Sequence, residues 1–168
     1  MTIAIMALLL LLATLAQSLM PSVAILGSVK LPFLLGVPIY YALVHSRGMV
    51  VASALLAGLI QDSLSLLPVG YSALCFSVFG FVIYHAREVL FRDSPLTVAV
   101  LGGGLSAITT LVIYMMLRLG TETVAVPLWW LGLKMGGNAL LGVVAVPLVW
   151  LVAGSLERQV GVAQEERY

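Results

Sequence analysis

Residues 58–70 read GLIQDSLSLLPVG and raise the question on which the fold depends. Gln61 and Asp62 stand side by side in a run that is otherwise small or aliphatic and stops at Pro68. A carboxylate costs little on the surface of a soluble helix, but inside a lipid bilayer it must face protein or water. The residues around Asp62 therefore decide which of these two environments the helix occupies.

The composition favours the bilayer. Of the 168 residues, 62% are hydrophobic and 9% are charged, whereas a soluble domain has about 25% charged residues. We predict an all-α integral membrane protein that forms one membrane domain over residues 1–168. The net charge of +1 is not concentrated in a basic block, which excludes a nucleic-acid partner held through phosphates. The one cysteine, Cys75, cannot form an internal disulfide.

Six transmembrane helices are predicted from the apolar runs and from the prolines that end them. They cover about residues 2–20, 31–44, 49–67, 71–91, 95–117 and 127–156, with a short cytoplasmic tail at 157–168. The first run lacks the basic start of a secretory signal, so it is interpreted as a spanning helix. The second is short and holds Pro32 and Pro38, which predict a kink.

The basic residues near the helix ends predict the orientation. With six spans, the side that carries both termini also carries five arginines, namely Arg47, Arg87, Arg92, Arg158 and Arg167. The other side carries Lys30 and Arg118 in its loops. The excess places both termini in the cytoplasm. This assignment requires that the second run crosses the membrane.

The polar residues of the third and sixth runs form a candidate packing or partner-binding site. In the third run, helical spacing aligns Gly58, Gln61, Asp62 and Ser65 on one stripe, which must face protein. The sixth run offers a stripe that contains Lys134 and Asn138, with Gly132 and Gly136 spaced for close backbone contact.

We expect the third and sixth helices to pack together, because Asp62 and Lys134 fall at similar depths. The two side chains would then pair directly or through Gln61 and Asn138. The alternative is that Lys134 reaches the membrane interface, while Asp62 accepts hydrogen bonds from hydroxyls or backbone near Pro68.

No catalytic, cofactor or metal site is predicted. His45 and His85 fall at helix ends away from Ser63 and Ser65, so a Ser-His-Asp triad cannot form. No His or Cys cluster has metal-ligand spacing, and no phosphate-binding loop is present. The glycines at 102–104 predict a close-packing surface. The four-residue recurrence of Ser106, Thr110, Tyr114 and Arg118 predicts hydrogen bonds between helices or the lining of a cavity.

Three stretches resemble the rod shape-determining protein MreD family. They are KLPFLLGVPIYYALVHSRG at 30–48, ALLAGLIQDSLSLLPVGYSAL at 54–74 and NALLGVVAVPLVWLVAGSLER at 138–158. In the second stretch, the family pattern of Gly-Leu, Asp and Pro-x-Gly falls on residues 58–59, 62 and 68–70. In the third, Asn138 and Pro147 precede a basic helix end.

The resemblance implies a non-enzymatic subunit of the bacterial cell-elongation complex in the inner membrane, which maintains cell shape and organises peptidoglycan synthesis. It implies MreC as a direct partner, and RodA, a penicillin-binding protein and MreB as indirect ones, besides membrane lipid. The sequence is compatible with a homo-oligomer and does not decide the oligomeric state. The family resemblance also implies a six-helix fold similar to the substrate-binding (S) subunits of energy-coupling-factor transporters.

The similarity to S subunits gives the alternative function, a small-molecule-binding S subunit of a vitamin transporter. Such subunits dock on their transport partner through Ala-x-x-x-Ala in the first helix. The alanines of the first run, at positions 4, 7, 13 and 16, never fall four residues apart. The sequence therefore favours the cell-elongation subunit.

Overall fold

Six helices account for nearly all of the residues that the structure describes. The structure is a computed structural model, and it describes residues 2–20, 31–65, 68–88, 94–120 and 128–160. The helices are α1 (Thr2–Leu19), α2 (Phe33–Val44), α3 (Arg47–Ser65), α4 (Tyr71–Ala86), α5 (Pro95–Gly120) and α6 (Leu128–Val160). The prediction of an all-helical chain with six helices is confirmed.

The helix ends follow the sequence signals with two differences. The first is that α4 ends at Ala86, before the end predicted at 91, because the chain turns at residues 87–88. Pro32 precedes α2, and Pro95 is the first residue of α5, where its missing N–H costs no hydrogen bond. The sixth helix was expected to end at 156, but α6 continues through Glu157 to Val160. Glu157 is buried against other helices, so it belongs to the bundle and not to the tail.

Several predicted features lie outside the described residues. They are the helix ends predicted at 66–67, 89–91 and 127, the tail residues 161–168, and the basic residues Lys30, Arg92 and Arg167.

Four helices have the length and hydropathy of membrane spans. These are Thr2–Leu19, Arg47–Ser65, Pro95–Arg118 and Trp129–Gln159. Large apolar side chains stand exposed on them, among them Ile3 (67% exposed), Val100 (65%) and Leu140 (63%). Such a surface suits contact with lipid and would be costly in water. The chain is therefore an integral membrane protein.

The short helix α2 lies in the middle of the bundle. It has 12 residues, about 18 Å of helix, and every residue from Phe33 to Leu43 is buried. It packs against α3, α6, α4 and α1. Because protein surrounds α2, its apolar side chains make the interior of the molecule and do not form its lipid surface.

Two antiparallel helix pairs pack on this central helix. The first pair is α3 with α4 and the second is α5 with α6, and both α3 and α6 also pack on α2. The expected direct packing of the third and sixth helices is wrong, because among the described residues α3 and α6 each pack on α2 and are not a packed pair themselves. Helical spacing placed Gly58 and Asp62 on the buried face of α3 but could not identify the neighbour of that face.

Glycine permits the backbone contact between α5 and α6. A Cβ atom on Gly102 would lie 2.5 Å from the carbonyl oxygen of Gly142, and one on Gly103 would lie 2.7 Å from a methyl of Val143. The predicted close-packing surface at residues 102–104 is confirmed at these two glycines. The close contact predicted at Gly132 and Gly136 is wrong, since a Cβ atom at either position would meet no described atom of another helix within 4 Å.

Candidate functional site

Asp62 caps the helix that follows its own. Its Oδ2 accepts a hydrogen bond from the backbone N–H of Gly70 at 2.7 Å, and its Oδ1 accepts one from Ser72 at 2.9 Å. The first N–H groups of a helix have no partner within that helix. Asp62 provides that partner for α4 from a neighbouring helix, and its negative charge faces the positive end of the α4 dipole. The carboxylate is completely buried.

The turn between α3 and α4 explains the Pro-x-Gly part of the motif. Gly70 precedes α4 with a φ of 107°, in the left-handed region that glycine adopts at little cost. No side chain of Gly70 can cap α4, so the capping oxygen has to come from elsewhere. Asp62 and Gly70 therefore work together, one as acceptor and the other as the residue that turns the chain toward it.

Gly58 brings the two helices close enough for this capping. It lies one helical turn before Asp62, and a Cβ atom at this position would overlap the Cα and N atoms of Ala73. The α3 and α4 backbones are thus in direct contact there. Gly58, Asp62 and Gly70 form one unit, here called the α3–α4 clamp, which fixes the position of α4 against α3.

The direct pair between Asp62 and Lys134 is wrong. Both carboxylate oxygens of Asp62 are bound to backbone N–H groups, and the Lys134 ammonium instead lies 4.1 Å from the centre of the Trp130 ring. The alternative for Asp62, hydrogen bonds from the backbone near Pro68, is confirmed. A buried carboxylate with two charge-assisted hydrogen bonds needs no counter-ion to be stabilised.

The four remaining candidate residues line one cavity. Gln61 and Ser65 lie on one wall, and Lys134 and Asn138 lie on another, around a volume of about 550 Å³. The cavity, here called the Lys134 cavity, is at the end of the bundle where α1, α3 and α5 end and α2, α4 and α6 begin. The candidate residues share a site without direct packing of α3 on α6.

Hydrogen bonds between helices organise the walls of the Lys134 cavity. Gln17 donates to Gln61 at 2.7 Å, and Gln61 in turn donates to Ser65 at 3.0 Å. Asn138 donates to Thr110 at 2.6 Å, which joins α6 to α5. Both expectations for the α5 polar stripe are met at Thr110, since it bonds across helices and also lines the cavity.

A second buried polar cluster lies at the opposite end of the bundle. The hydroxyl of Tyr40 donates to Glu157 Oε2 at 2.6 Å, and His45 Nε2 lies 3.2 Å from Glu157 Oε1. Arg87 donates to the backbone carbonyl of His45 at 3.1 Å and stacks on the ring of Tyr84. This Glu157 cluster ties α6 to α2.

Sequence reasoning missed the Glu157 cluster. Glu157 was expected in the cytoplasmic tail, and His45 was predicted only to lie at a helix end, yet they are 2% and 3% exposed. The one available signal was the helical spacing of Tyr40, Tyr41 and His45, which places three polar rings near one face of the second run.

Among the described residues, the polar side chains mainly form hydrogen bonds within a helix or between helices. Ser63 donates to the carbonyl of Leu59 in its own helix, at the end of α3 away from His45. Within the described ranges, no three His, Cys, Asp or Glu side chains are grouped so that they could hold a metal ion. The arrangement stabilises a bundle that contains the Lys134 cavity.

These features define a helical membrane protein whose helix packing depends on a buried acidic cap. A family model described as rod shape-determining protein MreD matches residues 1–152. The chain therefore belongs to the MreD family, and the resemblance drawn from residues 30–48, 54–74 and 138–158 is confirmed. No curated protein and no solved structure matches the chain, so the similarity to S subunits stays a prediction, and nothing supports the vitamin-transporter alternative.

Substitution of Gly58 should weaken the α3–α4 clamp. The atoms that a new Cβ would meet belong to the Ala73 backbone and cannot rotate away, so Gly58→Ala should cost at least about 2 kcal/mol of stability. The melting temperature of the detergent-purified protein measures this. Gly104→Ala is the control, because its Cβ would meet open space. Equal melting temperatures for the two variants would contradict the backbone contact.

Proposed function

We propose that this protein is a non-enzymatic membrane subunit of the bacterial cell-elongation complex. In this role it binds MreC and helps to maintain rod shape and to organise peptidoglycan synthesis. Through MreC it associates with RodA, a penicillin-binding protein and the MreB filament. The observation that carries the proposal is the family match over residues 1–152.

The use of the buried polar groups supports a structural role. Asp62 is bound to the backbone of α4, and Glu157 is bound to Tyr40. A catalytic carboxylate must be accessible to a reacting group, whereas these two are 0% and 2% exposed. Their chemistry fits a rigid scaffold on which a single-span partner can dock.

The charge distribution supports an inner-membrane location with both termini in the cytoplasm. Of the described arginines, Arg47, Arg87 and Arg158 lie at the end of the bundle with the Glu157 cluster, and Arg118 lies at the other end. Basic residues concentrate on the cytoplasmic side of membrane proteins. Trp129, 70% exposed at the start of α6, suits the opposite membrane interface.

Depletion in a rod-shaped bacterium tests the proposal. Cells that lose the protein should become round, and a tagged copy should co-purify MreC from detergent extracts. Gly104→Ala should restore rods and MreC recovery, whereas Gly58→Ala should restore neither fully, because the clamp is disturbed. Rods that persist after complete depletion, in a host without a second copy, would contradict the assignment.

A further inference from the structure

The Lys134 cavity has the size and position of a ligand site. Its volume of about 550 Å³ falls within the range of about 300–1,000 Å³ that small-molecule sites occupy. All six helices contribute to its walls, with Gln17, Leu35, Gln61, Ser72, Ser106 and Lys134 as representatives of α1 to α6 in order. Binding there would contact both helix pairs at once.

The charge of the cavity favours an anion. Among the described residues that line it, Lys134 is the one charged side chain. Asp62 lies close by, but backbone N–H groups occupy both of its carboxylate oxygens. The Lys134 ammonium rests on the Trp130 ring at 4.1 Å, a contact that supplies no oxygen acceptor. A single negative charge would therefore complement the cavity.

The hydroxyl groups of the cavity favour a ligand that also donates hydrogen bonds. Ser106 and Thr109 give their protons to backbone carbonyls of their own helix at 2.6 and 2.7 Å, which leaves the hydroxyl oxygens as acceptors. Ser72 is fully buried, and its hydroxyl has no hydrogen-bond partner among the described residues. A buried polar group without a partner is costly, and a bound ligand would satisfy it.

We propose that the Lys134 cavity binds an anionic phosphorylated polyol, with its phosphate at Lys134 and its hydroxyls at the serine and threonine oxygens. Apolar side chains such as Leu35, Phe76 and Leu131 share the lining and suit the carbon skeleton of such a group. A phospholipid headgroup such as phosphoglycerol and a free glycerol phosphate present this same chemistry.

Thermal unfolding of the detergent-purified full chain tests this site. The probes are phosphatidylglycerol, phosphatidylcholine and free sn-glycerol 3-phosphate, each titrated to saturation. Phosphatidylglycerol should raise the melting temperature in a saturable way, and phosphatidylcholine, which has no polyol headgroup and no net charge, should not. A matching rise with glycerol phosphate alone would also support the site and would identify a soluble ligand.

Variants distinguish binding in the Lys134 cavity from non-specific attraction of the anionic probes to the protein surface. Lys134→Met should weaken binding roughly tenfold or more, the value of one charge-assisted hydrogen bond. Thr109→Val, which keeps the side-chain shape, should weaken it by a smaller factor and remains informative if Lys134→Met does not fold. The control is Arg118→Met, an exposed cation near the same end of the bundle. No stabilisation by either anionic probe, or equal losses with Arg118→Met and Lys134→Met, would overturn the proposal.

Discussion

Asp62→Ala should produce the largest loss of stability of any single substitution in the α3–α4 clamp. The change leaves the half-buried N–H group of Gly70 and the buried N–H group of Ser72 without their acceptor. Each hydrogen bond to a charged group is worth about 1.5–3 kcal/mol, so the loss should reach about 3 kcal/mol or more. The melting temperature of the purified protein and its amount in membranes both measure this effect.

Asp62→Asn refines the same experiment. The amide keeps the shape of the side chain, but its NH₂ group is a donor and would face an N–H donor in place of a carboxylate oxygen. The loss should therefore lie between those of Ser63→Ala and Asp62→Ala. Ser63→Ala is the matched control, because Ser63 is the next residue, is exposed, and bonds only within α3.

The charge exchange of Asp62→Lys with Lys134→Asp distinguishes the clamp from an ion pair. A lysine at position 62 cannot accept hydrogen bonds from the N–H groups of α4. The double variant should thus be no more stable than Asp62→Lys alone. Rescue by the exchange, or an Asp62→Ala variant as stable as Ser63→Ala, would contradict the clamp.

The sequence is sufficient to predict helices but not to predict which helices are neighbours. Long apolar runs fix the spans because lipid requires every backbone group to bond within its own segment. The stripe that carries Asp62 was correctly expected to face protein. Its partner was not predicted, because helical spacing defines a face and gives no information about what covers it. The partner of Asp62 proved to be the backbone N–H donors at the start of the next helix, the first of them only eight residues away.

Distance along the chain explains why the Glu157 cluster was missed. Tyr40 and Glu157 are 117 residues apart, so no local pattern connects them. Glu157 is the first residue of a polar segment, ERQVGVAQEERY at 157–168. The composition of this segment is typical of a solvated tail. Only the packing of α6 against α2 shows that the first residue of this segment belongs to the interior.

The residues of the Lys134 cavity were predicted in part. Gln61, Ser65, Lys134 and Asn138 were grouped because each is polar in an apolar helix and must avoid lipid. All four line one cavity, in which Gln61, Lys134 and Asn138 are half-buried and Ser65 is exposed. The predicted contact between α3 and α6 is wrong because α2, which is also an apolar run, packs against both of these helices.

Glu157→Leu should cost about 3 kcal/mol or more, because the buried Tyr40 hydroxyl loses its acceptor and the buried His45 loses its carboxylate neighbour. The hydroxyl of Tyr40 would lose its bond at 2.6 Å, and His45 would lose the carboxylate 3.2 Å from its Nε2. Leaving a buried donor unsatisfied costs about 1–3 kcal/mol, and removing one partner of a buried ion pair typically costs about 3–5 kcal/mol. Arg158→Leu, an exposed neighbour on the same helix turn, is the control and should change the melting temperature little.

A double-mutant cycle tests whether the Glu157 cluster acts as one unit. Tyr40→Phe removes the hydroxyl that binds Glu157, so its effect should be smaller in the Glu157→Leu background than in the native protein. Combining Tyr40→Phe, His45→Phe and Glu157→Leu should recover part of the stability lost in Glu157→Leu, since apolar groups can replace a buried polar cluster at little net cost. Strictly additive losses, or a Glu157→Leu variant as stable as Arg158→Leu, would show that Glu157 does not join α6 to α2 through these contacts.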